Sequence, residues 1–395
     1  MRMRTFVTLA AQFSGFIVNA LTLGLLSRKL GPDNYSIYVT CVAMVTIVGT
    51  FTRGNQTQVA SAIAVRETNS HINLNSEWSG LAKLVGVYLV FWIALIPLFS
   101  RFSEIPLVYL FISSIIVSSA VLGSVASGVL QGLEQFEFWQ LGLGAVTFLQ
   151  VPLILFAIGR TLNVGYFLVV LSVPSFFFFV WVFRLHKEVL LWATSMPGKS
   201  NVIDGIIMGL FILMLQTPLV SLRHLSGETT VGSLESLCLI GIALSGLASI
   251  FGSYLLPKYA RLESSDRTIG SGMKLHVIHS MPLIGLVLVL TCLGPNVLNV
   301  AFGEGYAHGI DRPLMFLATS SFITWSIAGS LLQERITKLA RGYVTFLMFI
   351  SILQLAVIRV FIHQPEQLFV VFFIFGVMVI FSLLYSTSKN PKIFS

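Results

Sequence analysis

Arg53 falls inside the second apolar segment, in register with Thr46, Thr50, Thr57 and Ser61 at helical spacing. An arginine within a spanning helix costs roughly 2.5–3.5 kcal/mol on insertion scales and usually faces a watery cavity. Its planar fork holds two oxygens of a phosphate at once, which a lysine ammonium does not. Two readings stay open: Arg53 lines such a cavity, or it lies near the inner boundary and snorkels outward.

Other chemistry-bearing residues lie on the first and seventh apolar segments. Thr8, Gln12, Gly15, Asn19, Thr22 and Lys29 recur along one helical stripe, as do Gly205, Gly209, Gln216 and Arg223. Glycines and hydroxyls at this spacing serve helix packing. The carboxamides of Gln12, Asn19 and Gln216 are different, because an amide in lipid needs a partner. Arg28, Lys29 and Arg223 end these two segments and are candidates to receive an anionic group; interfacial anchoring is the plainer reading of each. Asp204 and Glu235 are the acidic groups placed to change charge or hold a cation. Capping of a helix N-terminus accounts for Asp204 and competes closely for Glu235.

The elements carrying these residues follow from composition. The 395 residues are 55% hydrophobic and only 10% charged, so most of the surface meets lipid rather than water. Apolar runs long enough for a hydrocarbon layer of roughly 30 Å begin near Thr5, Tyr35, Leu81, Pro106, Trp139, Val164, Val202, Leu234, Leu275, Pro313, Thr345 and Gln367. The expectation is an all-α polytopic membrane protein of about twelve helices.

The order of segments repeats. Arg28 and Arg66 bracket the second segment as Arg223 and Arg261 bracket the eighth, at a shift of 195 residues. The predicted organisation is therefore two pseudo-symmetric six-helix lobes, residues 1–187 and 201–385, joined by a cytoplasmic linker at 188–200 and followed by a tail at 386–395. With the N-terminus inside, 16 lysines and arginines fall on the inner side and 7 on the outer, which places both termini in the cytoplasm. Met1-Arg-Met-Arg4 resembles the start of a signal peptide, but a small-residue cleavage site is missing, so a retained first helix is expected.

The net charge of +8 then reflects topology, not nucleic-acid binding. Cys41, Cys238 and Cys292 are scattered through apolar segments and read as packing residues, with no disulfide framework or metal site. Neither a Gly-x4-Gly-Lys-Ser/Thr loop nor His-Glu-x-x-His occurs, and no long loop offers a catalytic domain. No enzyme activity and no cofactor are expected.

Several motifs resemble the bacterial polysaccharide and O-antigen flippases, within the multidrug/oligosaccharidyl-lipid/polysaccharide exporter superfamily. They are Leu26-Ser-Arg28-Lys-Leu-Gly31-Pro32-Asp-Asn-Tyr35, Ala64-Val-Arg66-Glu67, Gly128-Val-Leu-Gln131-Gly132-Leu133 with Pro152 and Gly159, and Leu255-Leu-Pro257-Lys-Tyr259-Ala-Arg261-Leu262. The turn Arg223-His-Leu-Ser-Gly227 departs from the pattern by lacking the proline.

The resemblance implies a V-shaped exporter in the bacterial inner membrane. It would move an undecaprenyl-diphosphate-linked oligosaccharide for O-antigen (lipopolysaccharide), capsule or exopolysaccharide assembly to the outer leaflet. Coupling to a sodium or proton gradient, and partnership with membrane lipids and other polysaccharide-assembly proteins, come with it. A cation-coupled multidrug exporter, a membrane enzyme of polysaccharide assembly and a non-transporting scaffold remain as rivals.

Overall fold

The structure, a computed structural model, describes residues 2–52, 56, 59–60, 62–63, 74–160, 163–195, 202–225, 231–244, 284–335 and 341–388. Helices dominate, and no strand occurs among these residues. Nine described helices are long and apolar enough to cross a membrane, or ten if one bent pair counts as a span. Each of the twelve expected segments contains described helix.

The first helix, α1 (Arg2–Phe51), is two helices joined at Gly31, whose φ of 72° and ψ of 168° leave the helical region. Only glycine takes that φ cheaply, and Pro32 then restarts the helix with its φ already set. The next element is α2 (Leu74–Ser103), followed by α3 (Leu107–Ile112), α4 (Ser114–Gly132), α5 (Phe136–Ile158) and α6 (Val164–Ser195). Ser113 separates α3 from α4 by one tightened turn, with its N–H on Tyr109 O.

The join expected as a linker is partly helical. α6 departs from helical geometry at His186 and continues to Ser195. Its Val189-Leu-Leu run explains why: Leu190 and Leu191 are fully buried in the core with Val125, Val129, Phe178 and Val182.

After α7 (Val202–Leu225) come α8 (Val231–Leu244), α9 (Ile284–Leu293) and α10 (Asn296–Phe302). α10 leaves α9 at 96°. Gly294, at φ 72°, makes that corner. The chain ends with α11 (Arg312–Arg335), α12 (Arg341–Phe361) and α13 (Pro365–Ser388). The described chain forms two compact units, Met1–Ile212 and Leu213–Ser395, dividing within α7.

In the first unit α4 packs against α6, and α1 against α5. Glycines set the closest approaches. A Cβ on Gly128 would sit 2.6 Å from Gln56 O and 2.9 Å from Val59 Cβ; one on Gly142 would enter the Phe178 ring. Trp92 is buried and donates Nε1–H to Leu110 O at 3.1 Å.

In the second unit α11 lies on α13. Trp325 stacks on Phe372 at 5.1 Å and donates to the Phe372 carbonyl at 2.9 Å. Gly241 receives the Phe322 ring, and Gly376 receives Trp325.

Outward faces are apolar. Val87, Val90, Phe91 and Leu98 stand exposed on α2, as do Phe349, Ile352, Val360 and Phe361 on α12. A patch of that extent suits lipid, not water. The glycine contacts give a test. Gly128→Val forces backbone apart and should cost about 1–3 kcal/mol, read as a lower melting temperature in detergent. Gly144→Val, with nothing within 4 Å of the new carbon, should leave it unchanged.

Candidate functional site

The hydroxyls of the predicted stripes are absorbed by their own helices. Thr22 Oγ1 donates to Val18 O at 2.8 Å, Thr46 to Val42 O at 2.7 Å and Thr50 to Thr46 O at 2.7 Å. On α11, Thr319, Ser326 and Ser330 bond back to Met315, Phe322 and Ser326 in the same way. These positions are packing residues, as small hydroxyls between membrane helices usually are.

The stripe on α1 does not remain one face. Thr22 and Leu26 are buried, whereas Asn19, Arg28 and Lys29 are exposed. Arg28 stands in helical register with Ile17, Leu21 and Leu25, all of them exposed aliphatics. That placement, in the turn before Gly31, is what an interfacial arginine adopts, its stem along apolar surface and its head toward water. It also puts positive charge at the C-terminal end of a helix, where the macrodipole favours it.

Arg223 occupies the corresponding place on α7, near its end at Leu225. It is half-buried, unlike Arg28. Gln216 lies two turns earlier on the same face and is 6% exposed. The two are separated by about 10 Å of helix. Arg53 lies outside the described residues, and so do Arg66 and Arg261. The side chains of Gln12 and Asp204 are likewise outside them.

Glu235 is fully buried, on α8 at the fifth described residue or deeper. A buried carboxyl is tolerated when it is neutral, paired or holding an ion. Buried Ser233, Ser236 and Cys238 surround it in sequence, and Ser236 Oγ bonds back to Gly232 O at 2.8 Å. Ser233 instead reaches outside its helix, donating to Gly305 O at 3.3 Å. It thereby ties the loop after α10 to the start of α8. The same loop is held by Asn299 Oδ1, which accepts from Ala307 N–H at 3.0 Å, and by Tyr306, 1% exposed.

One polar residue escaped the sequence reading. Gln354, on α12, is completely buried, and its Nε2 donates to Met214 O on α7 at 3.4 Å. The criterion applied to Gln216, an amide in an apolar run that needs a partner, singles out Gln354 equally well. Among the described residues no three His, Cys, Asp or Glu side chains gather as a metal site.

The arrangement of helices matches known transporters over nearly the whole chain. A multidrug-resistance transporter of the MATE family and MOP superfamily, in its inward-facing conformation, aligns with TM-score 0.66, covering 98% of this chain and 100% of that one, at 13% identity. This chain has the fold of the MOP-superfamily transporters. The lipid II flippase MurJ, inward closed, matches at TM-score 0.64 and 11% identity over 98% of this chain and 89% of its own.

A MOP-superfamily transporter from Pyrococcus furiosus matches at 0.59 and 16%, covering 98% and 96%. No protein-family model matches the sequence, and no curated protein does. These structural neighbours are transporters rather than enzymes.

Exposed Lys29 allows orientation to be measured directly. In a Cys292→Ser background, with Cys41 and Cys238 buried, Lys29→Cys should react with a membrane-impermeant maleimide applied to intact cells. Labelling only after permeabilisation would reverse the predicted orientation.

Proposed function

We propose that the protein is a flippase that carries an undecaprenyl-diphosphate-linked oligosaccharide, a repeat unit of O-antigen, capsule or exopolysaccharide, from the inner to the outer leaflet of a bacterial inner membrane. The observation that carries this reading is the positive charge that closes the first helix of each sequence repeat. The first 32 residues contain no Asp or Glu, and the segment ends in Arg28 and Lys29; its repeat ends in Arg223. Gln216 stands behind Arg223 on the same face. Guanidinium and carboxamide groups suit a diphosphate and sugar hydroxyls, each of which costs roughly 2–7 kcal/mol to bury without a hydrogen bond.

In this reading the diphosphate meets Arg53 in the passage and Arg28, Lys29 and Arg223 toward its outer end. Gln12, Asn19 and Gln216 hold sugar hydroxyls, while the prenyl tail stays among the lipids. Glu235 and Asp204 are the groups for coupling to a proton or sodium gradient; the burial of Glu235 suits a group whose charge changes during transport. Other proteins of polysaccharide assembly supply and consume the substrate. Both termini lie in the cytoplasm.

Buried Glu235 also supports a second reading, a cation-coupled multidrug exporter, since a buried acid suits a cationic cargo as well as a coupling ion. A leaflet-resolved assay of lipid-linked oligosaccharide after gene deletion separates the two. Accumulation on the inner face supports the flippase; an unchanged distribution with altered drug resistance supports the exporter.

Arg53→Ala should abolish transport and Arg53→Lys should keep part of it. Full activity of the alanine variant at normal expression would remove Arg53 from the path. Glu235→Gln should leave expression and folding intact and make transport insensitive to the imposed gradient. Gradient-dependent transport in that variant would show that coupling lies elsewhere.

A further inference from the structure

The apolar segment that begins near Leu275 reaches Leu293 in 19 residues. As helix that is about 28 Å, enough to cross a hydrocarbon layer without further help. At Gly294 the chain turns through 96° into α10. A helix that leaves a spanning one at a right angle runs parallel to the membrane plane. Arg312 marks the depth of the corner, because its Nε lies 3.1 Å from where a β-carbon on Gly294 would stand. Arg312 is exposed, and an exposed guanidinium beside lipid belongs at headgroup level, not among acyl chains.

α10 has the faces that this placement requires. Leu298, fully buried, and Phe302, 7% exposed, point into protein. At about 100° per residue the opposite direction is that of Val300. Val300 is 74% exposed, more than any other large apolar side chain among the described residues. Val297 and Ala301 fall on one flank of Val300, and Asn296 and Asn299 on the other. The outward half of the helix is thus divided lengthwise into an apolar strip and a polar one. Helices that lie on a bilayer have this division, apolar strip down and polar strip up. The exposed aliphatics of α9, Leu288, Val289 and Leu293, run up to the corner, so the lipid-facing surface reaches α10 without a break.

The polar flank carries the loop at 303–310. Asn299 Oδ1 accepts from Ala307 N–H at 3.0 Å, and Phe302 packs on Tyr306 with ring centroids 5.9 Å apart. Glu304 and His308 are exposed on this loop. It is fastened to α8 through Ser233 Oγ, which donates to Gly305 O at 3.3 Å. Residues 231–238 of α8, Glu235 among them, are buried on every face.

We propose that α10 is an in-plane anchor whose partner is the bilayer surface. The strip of Val297, Val300 and Ala301 inserts at the boundary between acyl chains and headgroups, in the leaflet that α9 reaches (the outer one in the orientation given above). Arg312 sits at the level of the lipid phosphates. The anchor holds the 303–310 loop against the start of α8. It is a contact with lipid alone and holds whatever the cargo is.

Spin-label depth measurements on the full-length protein in lipid nanodiscs test it. In the Cys292→Ser background, labels are placed at Val300→Cys, at Leu288→Cys on the spanning helix and at His308→Cys on the loop. A water-soluble nickel chelate should collide with the label at 300 more often than with that at 288 and less often than with that at 308, and oxygen should give the reverse order. A label at 300 as shielded from the chelate as that at 288 would make α9 and α10 one broken span. A label as open as that at 308 would put α10 in water. Either result overturns the proposal.

The anchoring itself is read by hydrogen–deuterium exchange. Val300→Glu puts a charge into the apolar strip and should speed exchange at residues 303–309 by about tenfold in nanodiscs, whereas His308→Glu, on the loop, should not. Unchanged exchange in Val300→Glu would show that the loop does not depend on the bilayer, and would refute the anchor.

Discussion

Hydrocarbon offers a peptide group nothing to bond, so every N–H, carbonyl and polar side chain at membrane depth must find its partner within the protein. Most of the polar chemistry of this chain answers to that constraint before it answers to function. The hydroxyls of α1, α4, α11 and α12 turn back onto their own carbonyls. The indoles of Trp92 and Trp325 reach carbonyls 18 and 47 residues away, which pins α2 to α3 and α11 to α13. At Gly31 and Gly294 the helix is interrupted by a glycine with a positive φ.

Glu235, Gln216 and Gln354 stand out against that background: all three are buried and polar, and all lie within the second unit.

The general architecture was legible because it rests on long-period signals. Twelve apolar stretches and the packing role of the glycines and serines follow from composition and spacing, the bend at Gly31-Pro32 from the family resemblance, and described helix falls in each of those stretches. What composition could not supply was the depth and direction of single side chains. Residues 188–195 looked like a loop because of the polar stretch that follows, yet the aliphatic run Val189 to Leu191 is core and carries α6 onward. The burial of Glu235 was not legible, because burial is a property of what packs over a residue. Gln354 was within reach of the amide criterion applied to Gln216, but its partner, a backbone carbonyl 140 residues away, is set by the fold alone.

The aromatic rings seated on glycines have a mechanical consequence. Phe178 occupies the notch at Gly142 and Phe322 the notch at Gly241, each ring filling the volume a β-carbon would take. Such a peg blocks axial slippage, because shifting one helix along its neighbour would drive the ring into a residue with a side chain. Within each unit these helix pairs are therefore geared together and travel as blocks, leaving shape change to the few joints where the backbone itself is interrupted.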